Sequence, residues 1–182
     1  MDIRKAAVLG AGTMGAGIAA HLSNAGIPTL LLDIAPRELT PDEEKKGLTL
    51  ESPQVRNRIV DSLFAAAKKL KPAPFMLGDN AKLITTGNFT DDLAKIKDCD
   101  FVIEAVVENL DIKHKLFADV EKYRKPGAVI ASNTSGIPID SIAEPFSDDF
   151  KAHFVGIHFF NPPRYMKLVE VIPGSKTSGE IA

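Results

Sequence analysis

Ala6-Ala7-Val8-Leu9-Gly10-Ala11-Gly12-Thr13-Met14-Gly15 decides the fold of this chain. Its first four residues are short, apolar and able to be buried on both faces, as in a strand inside a parallel sheet. Glycines follow at once, and Ala16–Ala25 reads as a helix of small residues that stops at Gly26. The glycines divide the physical work. Gly10 permits the tight turn, Gly12 lets a pyrophosphate approach the backbone, and Gly15 lets helix pack closely on strand. The N–H groups of the helix's first turn, at Thr13, Met14 and Gly15, then face the diphosphate. A second strand over Pro28–Asp33 completes the opening βαβ pattern. The spacing predicts a dinucleotide site.

Asp33 selects the dinucleotide. A carboxylate closing the second strand accepts hydrogen bonds from both adenosine ribose hydroxyls and repels a 2′-phosphate, which favours NAD over NADP. Arg37, four residues on, leaves three roles open: receiving that phosphate, lying on the adenine, or facing solvent.

The totals are those of an ordinary soluble domain. With 182 residues the chain suits one domain with a proper core. Apolar residues make up 45% and charged ones 25%, and the net charge of −2 provides no field for recruiting nucleic acid. No apolar run reaches membrane-spanning length. The single cysteine, Cys99, rules out an internal disulfide and suits a reducing compartment. Its neighbours Asp98 and Asp100 discourage a thiolate, so a structural role is expected. The first strand begins too early for a signal or transit peptide, although a removed one would leave no trace. A bacterial cytosolic location is expected, with a processed mitochondrial matrix form as the other possibility. Thr177-Ser-Gly-Glu180 has capping-box spacing and announces a helix just before the sequence stops, as in a piece of a longer polypeptide.

Strands and helices alternate along the chain, which predicts an α/β, Rossmann-type doubly wound and mostly parallel sheet filling residues 1–182. Pro36 to Gly78 interrupts it, too long and too periodic for a loop. There Val55, Ile59, Leu63, Ala67 and Leu70 form one apolar helical stripe, paired with the charged segment Pro41–Lys46. Further strands are expected at Leu83–Thr86, Phe101–Glu104, Ala128–Ala131, Phe154–His158 and Lys167–Ile172, with helices at Ile112–Lys122 and Ile139–Ala143. Gly10–Gly15, Asp33, Glu104–Asn109, Ser132–Ser135 and His158–Asn161 then all fall at carboxyl ends of strands. That edge of an open α/β sheet is where ligands bind.

His158 leaves an apolar strand between phenylalanines, and histidine is the usual general base near neutral pH. Alone it reads better as a core histidine hydrogen-bonded to backbone. Glu170, however, lies in the otherwise apolar run Lys167–Ile172 and needs a partner. The loop Asn161–Met166 has the length to fold one strand back beside the other, so the two can meet as base and orienting carboxylate. Ser132-Asn-Thr-Ser135 offers hydroxyls and an amide to a substrate oxygen or the nicotinamide, or else caps a helix. Ser135 lacks a nucleophile-elbow context, and His21, His114 and His153 lie away from the rim, so neither a hydrolase triad nor a metal site is expected.

Gly10–Gly15, Glu104–Asn109, Ser132–Ser135, His158–Pro163 and Lys167–Ile172 together closely resemble the L-3-hydroxyacyl-CoA dehydrogenases of fatty-acid β-oxidation, over nearly the whole chain. The resemblance implies NAD as cofactor, His158 as general base, Glu170 as its orienting partner and Ser135 as a hydrogen-bond partner of the substrate's 3-oxygen. It implies Asp33 on the adenosine ribose, Glu108 and Lys113 along the cofactor, and Asn161 near nicotinamide and substrate. Lys68 is implied at the acyl-CoA phosphates, where its own sequence context shows only a basic helix end. Family members carry a second, helical domain that forms the homodimer, closes over the acyl-CoA and supplies an asparagine; some are fused to an enoyl-CoA hydratase. That domain lies outside this sequence, so the fragment alone is expected to bind NAD and turn over poorly. Two other readings stay open: a dehydrogenase of a non-CoA 3-hydroxy acid, and a non-catalytic NAD-binding protein.

Overall fold

The computed structural model describes residues 2–181, and among them seven strands lie in the order β3-β2-β1-β4-β5-β6-β7. The strands are β1 (Ala6–Leu9), β2 (Thr29–Asp33), β3 (Ile84–Asn88), β4 (Phe101–Glu104), β5 (Val129–Ser132), β6 (Phe154–Phe159) and β7 (Val169–Pro173). β1 through β6 are parallel, and β7 runs antiparallel against β6. The strand order reverses between β2 and β4, on either side of β1, which opens the crevice expected of a doubly wound sheet.

β1, β4 and β5 are buried at every position, which is why their sequences run apolar without alternation. Helices cover both faces. Helix α1 (Thr13–Asn24) packs on one side together with part of the segment between β2 and β3. On the other, α6 (Leu110–Tyr123), α7 (Ile139–Ala143) and α8 (Asp148–Ala152) enclose an aromatic cluster. There the Phe117 and Phe154 rings meet edge to face at 5.2 Å, and Phe150 stacks on Phe154 at 5.3 Å. Cys99 is buried in this core, and burial pushes its thiol up to about 11. The structural role expected of it holds.

The inserted segment contains α2 (Pro41–Lys45), α3 (Pro53–Arg56) and α4 (Arg58–Ala67), followed by irregular chain and a 3-10 turn over Gly78–Leu83 before β3; the short α5 (Phe89–Asp92) comes directly after β3. The sequence places one apolar stripe here, and the structure divides it. Asn57 separates α3 from α4, so the phase shifts: Val55, Val60 and Ala67 are buried, whereas Leu63 and Leu70 are exposed. The capping box expected at Thr177 does not form. Its hydroxyl accepts from Gly174 N and donates to Phe154 O instead, and residues 179–181 make only a turn. His153, expected to begin a strand, caps α8.

Candidate active site

The carboxyl edge of the sheet is built from the turns after β1, β4, β5 and β6. At the first, Gly10 has φ +103°, a conformation that side chains resist. A Cβ on Gly15 would lie 1.7 Å from the Gly10 carbonyl oxygen, so only glycine lets α1 approach this closely. Gly12, by contrast, faces open space. Helix α1 begins with no side-chain cap and no acidic residue in its first turn, so its N–H groups and positive dipole end stay available. The Asp33 carboxylate accepts from Ala11 N at 2.6 Å and from Ile34 N at 2.7 Å, which ties the end of β2 to the glycine turn. A dinucleotide fits this arrangement: diphosphate over Thr13, Met14 and Gly15, ribose at Asp33. Arg37 is exposed.

At the end of β4 the polar residues turn inward. Glu104 is fully buried and holds Lys113 Nζ with both oxygens, at 2.7 and 2.8 Å. It also accepts from Ser132 Oγ at 2.6 Å and Val106 N at 2.7 Å, so the buried charge is completely engaged. Lys113, itself 1% exposed, reaches Glu108 at 3.3 Å as well. Glu108 in turn receives the Thr134 hydroxyl and the backbone N–H of Ser135 and Gly136, the latter two at 3.0 Å. Burial alone would raise the Glu108 carboxyl; those hydrogen bonds and the Lys113 charge outweigh it and bring it down to about 2. The loops after β4 and β5 are thereby clamped together, with exposed Ser135 at the tip.

β6 and β7 bring His158 and Glu170 together. They are directly opposite residues of the antiparallel pair, and His158 Nδ1 lies 2.8 Å from Glu170 Oε2. The His158 side chain is 21% exposed and that of Glu170 47%. With Nδ1 turned to the carboxylate, Nε2 is the nitrogen directed away from it. Asn133 Oδ1 accepts from Phe159 N at 2.9 Å and so fixes the end of β6 to the Ser135 loop. Pro163 seats on α1, where a Cβ on Gly17 would meet its ring at 2.9 Å.

The structure thus gathers Ser135, Glu108, His158 and Glu170 on the same rim as the glycine turn and Asp33. Asn161 is exposed just beyond β6, and Lys68 follows α4 on the insertion, its Nζ 4.9 Å from the Phe64 ring centroid. Sequence reasoning placed Glu104 on the rim without naming a partner and offered the Asn133 amide to substrate or nicotinamide, whereas the structure engages both within the protein. Their signals were present: a carboxylate closing the apolar strand Phe101-Val-Ile, and an amide within a run of hydroxyl residues.

This site defines a class: a dinucleotide-binding Rossmann domain carrying a His–Glu pair at its carboxyl edge. Comparison with known proteins defines it further. The family described as "3-hydroxyacyl-CoA dehydrogenase, NAD binding domain" matches residues 5–182, and the chain belongs to it. It is 56% identical over 179 residues to a probable 3-hydroxyacyl-CoA dehydrogenase of Bacillus subtilis, covering 98% of this chain and 23% of that protein. It is 41% identical over 180 residues to a putative fatty acid oxidation complex trifunctional enzyme of Rickettsia felis, covering 99% of this chain and 23% of the relative. Among solved structures, a 3-hydroxybutyryl-CoA dehydrogenase of Escherichia coli K12 superposes with a TM-score of 0.71 at 30% identity, over all of this chain and 34% of its own. The chain spans about a quarter of the length of these two curated relatives. Among the described residues no helix is long and apolar enough to cross a membrane.

Proposed function

We propose that this chain is the cofactor-binding and base-bearing part of an enzyme that oxidises L-3-hydroxyacyl-CoA to 3-ketoacyl-CoA in fatty-acid β-oxidation. The observation that carries the reading is the His158–Glu170 pair, held at 2.8 Å on the same rim as an NAD-fitting glycine turn. When bound, NAD supplies a nicotinamide that takes up a hydride from C3. His158 Nε2 removes the 3-hydroxyl proton, and Glu170 holds Nδ1 and stabilises the imidazolium that results. In the ketone-reducing direction the imidazolium returns its proton to the developing alkoxide. Ser135, positioned through Glu108, donates to the substrate's 3-oxygen. Glu108 lies along the cofactor with Lys113 beneath it as the buried support. Asn161 stands near the nicotinamide and substrate, and Lys68 meets the CoA phosphates. A helical region of the longer protein closes the site and forms a homodimer.

The test is NADH oxidation by the full-length protein, with acetoacetyl-CoA and free acetoacetate as alternative substrates. Rapid turnover of the thioester alone is the expected result. Turnover of acetoacetate at a comparable rate assigns a non-CoA acid instead; NADH binding with no turnover of either contradicts the enzymatic reading.

A further inference from the structure

The turn that follows His158 does more than reverse the chain. Arg164 sends Nη1 to the carbonyl oxygens of Ala73 and Phe75, both at 2.7 Å, and the Tyr165 hydroxyl donates to the Ala73 oxygen at 3.0 Å. These carbonyls belong to the irregular stretch 70–77 between α4 and a 3-10 turn at Gly78–Leu83, and that stretch has no ladder or helix of its own to satisfy them. Asn24 of α1 holds the same stretch from behind, at Pro74 O and Met76 N, both at 2.8 Å. Phe75 meets the Phe64 ring edge to face at 6.2 Å, and Phe64 carries Lys68 above it. A continuous set of contacts therefore runs from the turn after the base to the lysine on the insertion. Its near end is fixed, because Pro163 packs against Gly17.

We propose that Arg164 and Tyr165 form a strut setting the distance between His158 and Lys68, and so position the phosphate-bearing handle of the substrate relative to the reacting carbon. This rests on the acyl-CoA dehydrogenase reading. Neither residue touches the reacting atoms; both are positioning residues. A planar guanidinium is suited to such a strut because one nitrogen is held between two carbonyls in fixed geometry.

The test compares KM and kcat of the full-length enzyme for acetoacetyl-CoA and for acetoacetyl-N-acetylcysteamine, which has the thioester but no phosphates. Arg164→Met is expected to raise KM for the CoA ester about fivefold or more, with kcat and the truncated ester little affected. Lys68→Met should do the same, and the double variant should be no worse than the more affected single one, as expected of residues acting in series. Tyr165→Phe, which removes one hydroxyl and no packing, should give a rise of about twofold in the same direction and covers the case of an unstable Arg164 variant. Equal effects on both esters, or strictly additive effects of Arg164 and Lys68, would overturn the strut. Failure of the underlying reading looks different: the unmodified enzyme then fails to turn over the CoA ester at all.

Discussion

Two paired carboxylates, one with a lysine and one with a histidine, lie on the same rim and differ in nearly every physical respect. Glu104 and Lys113 are 0% and 1% exposed, and Glu104 is held by protein donors on both oxygens. His158 and Glu170 are 21% and 47% exposed and share a single hydrogen bond. The closed pair joins β4 to α6 and, through Ser132, to β5; the open pair bridges β6 and β7, the latter an edge strand exposed at all five positions. One pair is scaffold, and the other is the pair proposed to carry the chemistry. A buried pair is costly to break because the surviving charge cannot be rehydrated, whereas an open pair contributes little to stability and keeps its proton-transfer capacity.

That contrast can be broken from either side. Lys113→Met leaves Glu104 buried and unpaired, and chemical denaturation should show a stability loss of about 3–5 kcal/mol. Gly15→Ala forces the backbone of the glycine turn apart. A loss of about 1–3 kcal/mol is expected, together with weakened NADH binding by fluorescence titration. Glu170→Gln should change stability by less than about 1 kcal/mol while lowering turnover, since the neutral amide stabilises the imidazolium less. The smallest effect concerns pH. The Glu108 carboxyl is lowered from 4.5 to about 2, so its clamp on Ser135 is fully present above about 4.5 and is lost as pH falls toward 2. An NMR titration of the Ser135 and Gly136 amides should show no change between pH 7 and pH 5 and movement only below that window.

Much of this was legible in the sequence because backbone and rim are governed by local rules. Ala6–Leu9 and Phe101–Glu104 form strands with the bounds expected, and Ile139–Ala143 forms the expected helix. His158 and Glu170 met because a strand pair of period two and a loop of the right length fix their register. The insertion was less legible. Its apolar residues fit one continuous helix, but Asn57 ends α3, and tertiary contacts choose Val60 rather than Leu63 for the core. Thr177 was misleading for a related reason: a hydroxyl with capping-box spacing found a better partner at Phe154, twenty-three residues away in sequence. The engagement of Lys113 depends on side-chain burial, which no local pattern announces.

Cofactor binding and proton transfer are proposed to reside in separable parts of one rim. The direct test measures acetoacetyl-CoA reduction and NADH affinity on the same preparations of the full-length protein and its His158→Gln variant. Turnover should fall by about 10²–10⁴-fold while the NADH Kd stays within about twofold. Retained turnover in the variant, or cofactor affinity lost together with activity, would contradict that separation.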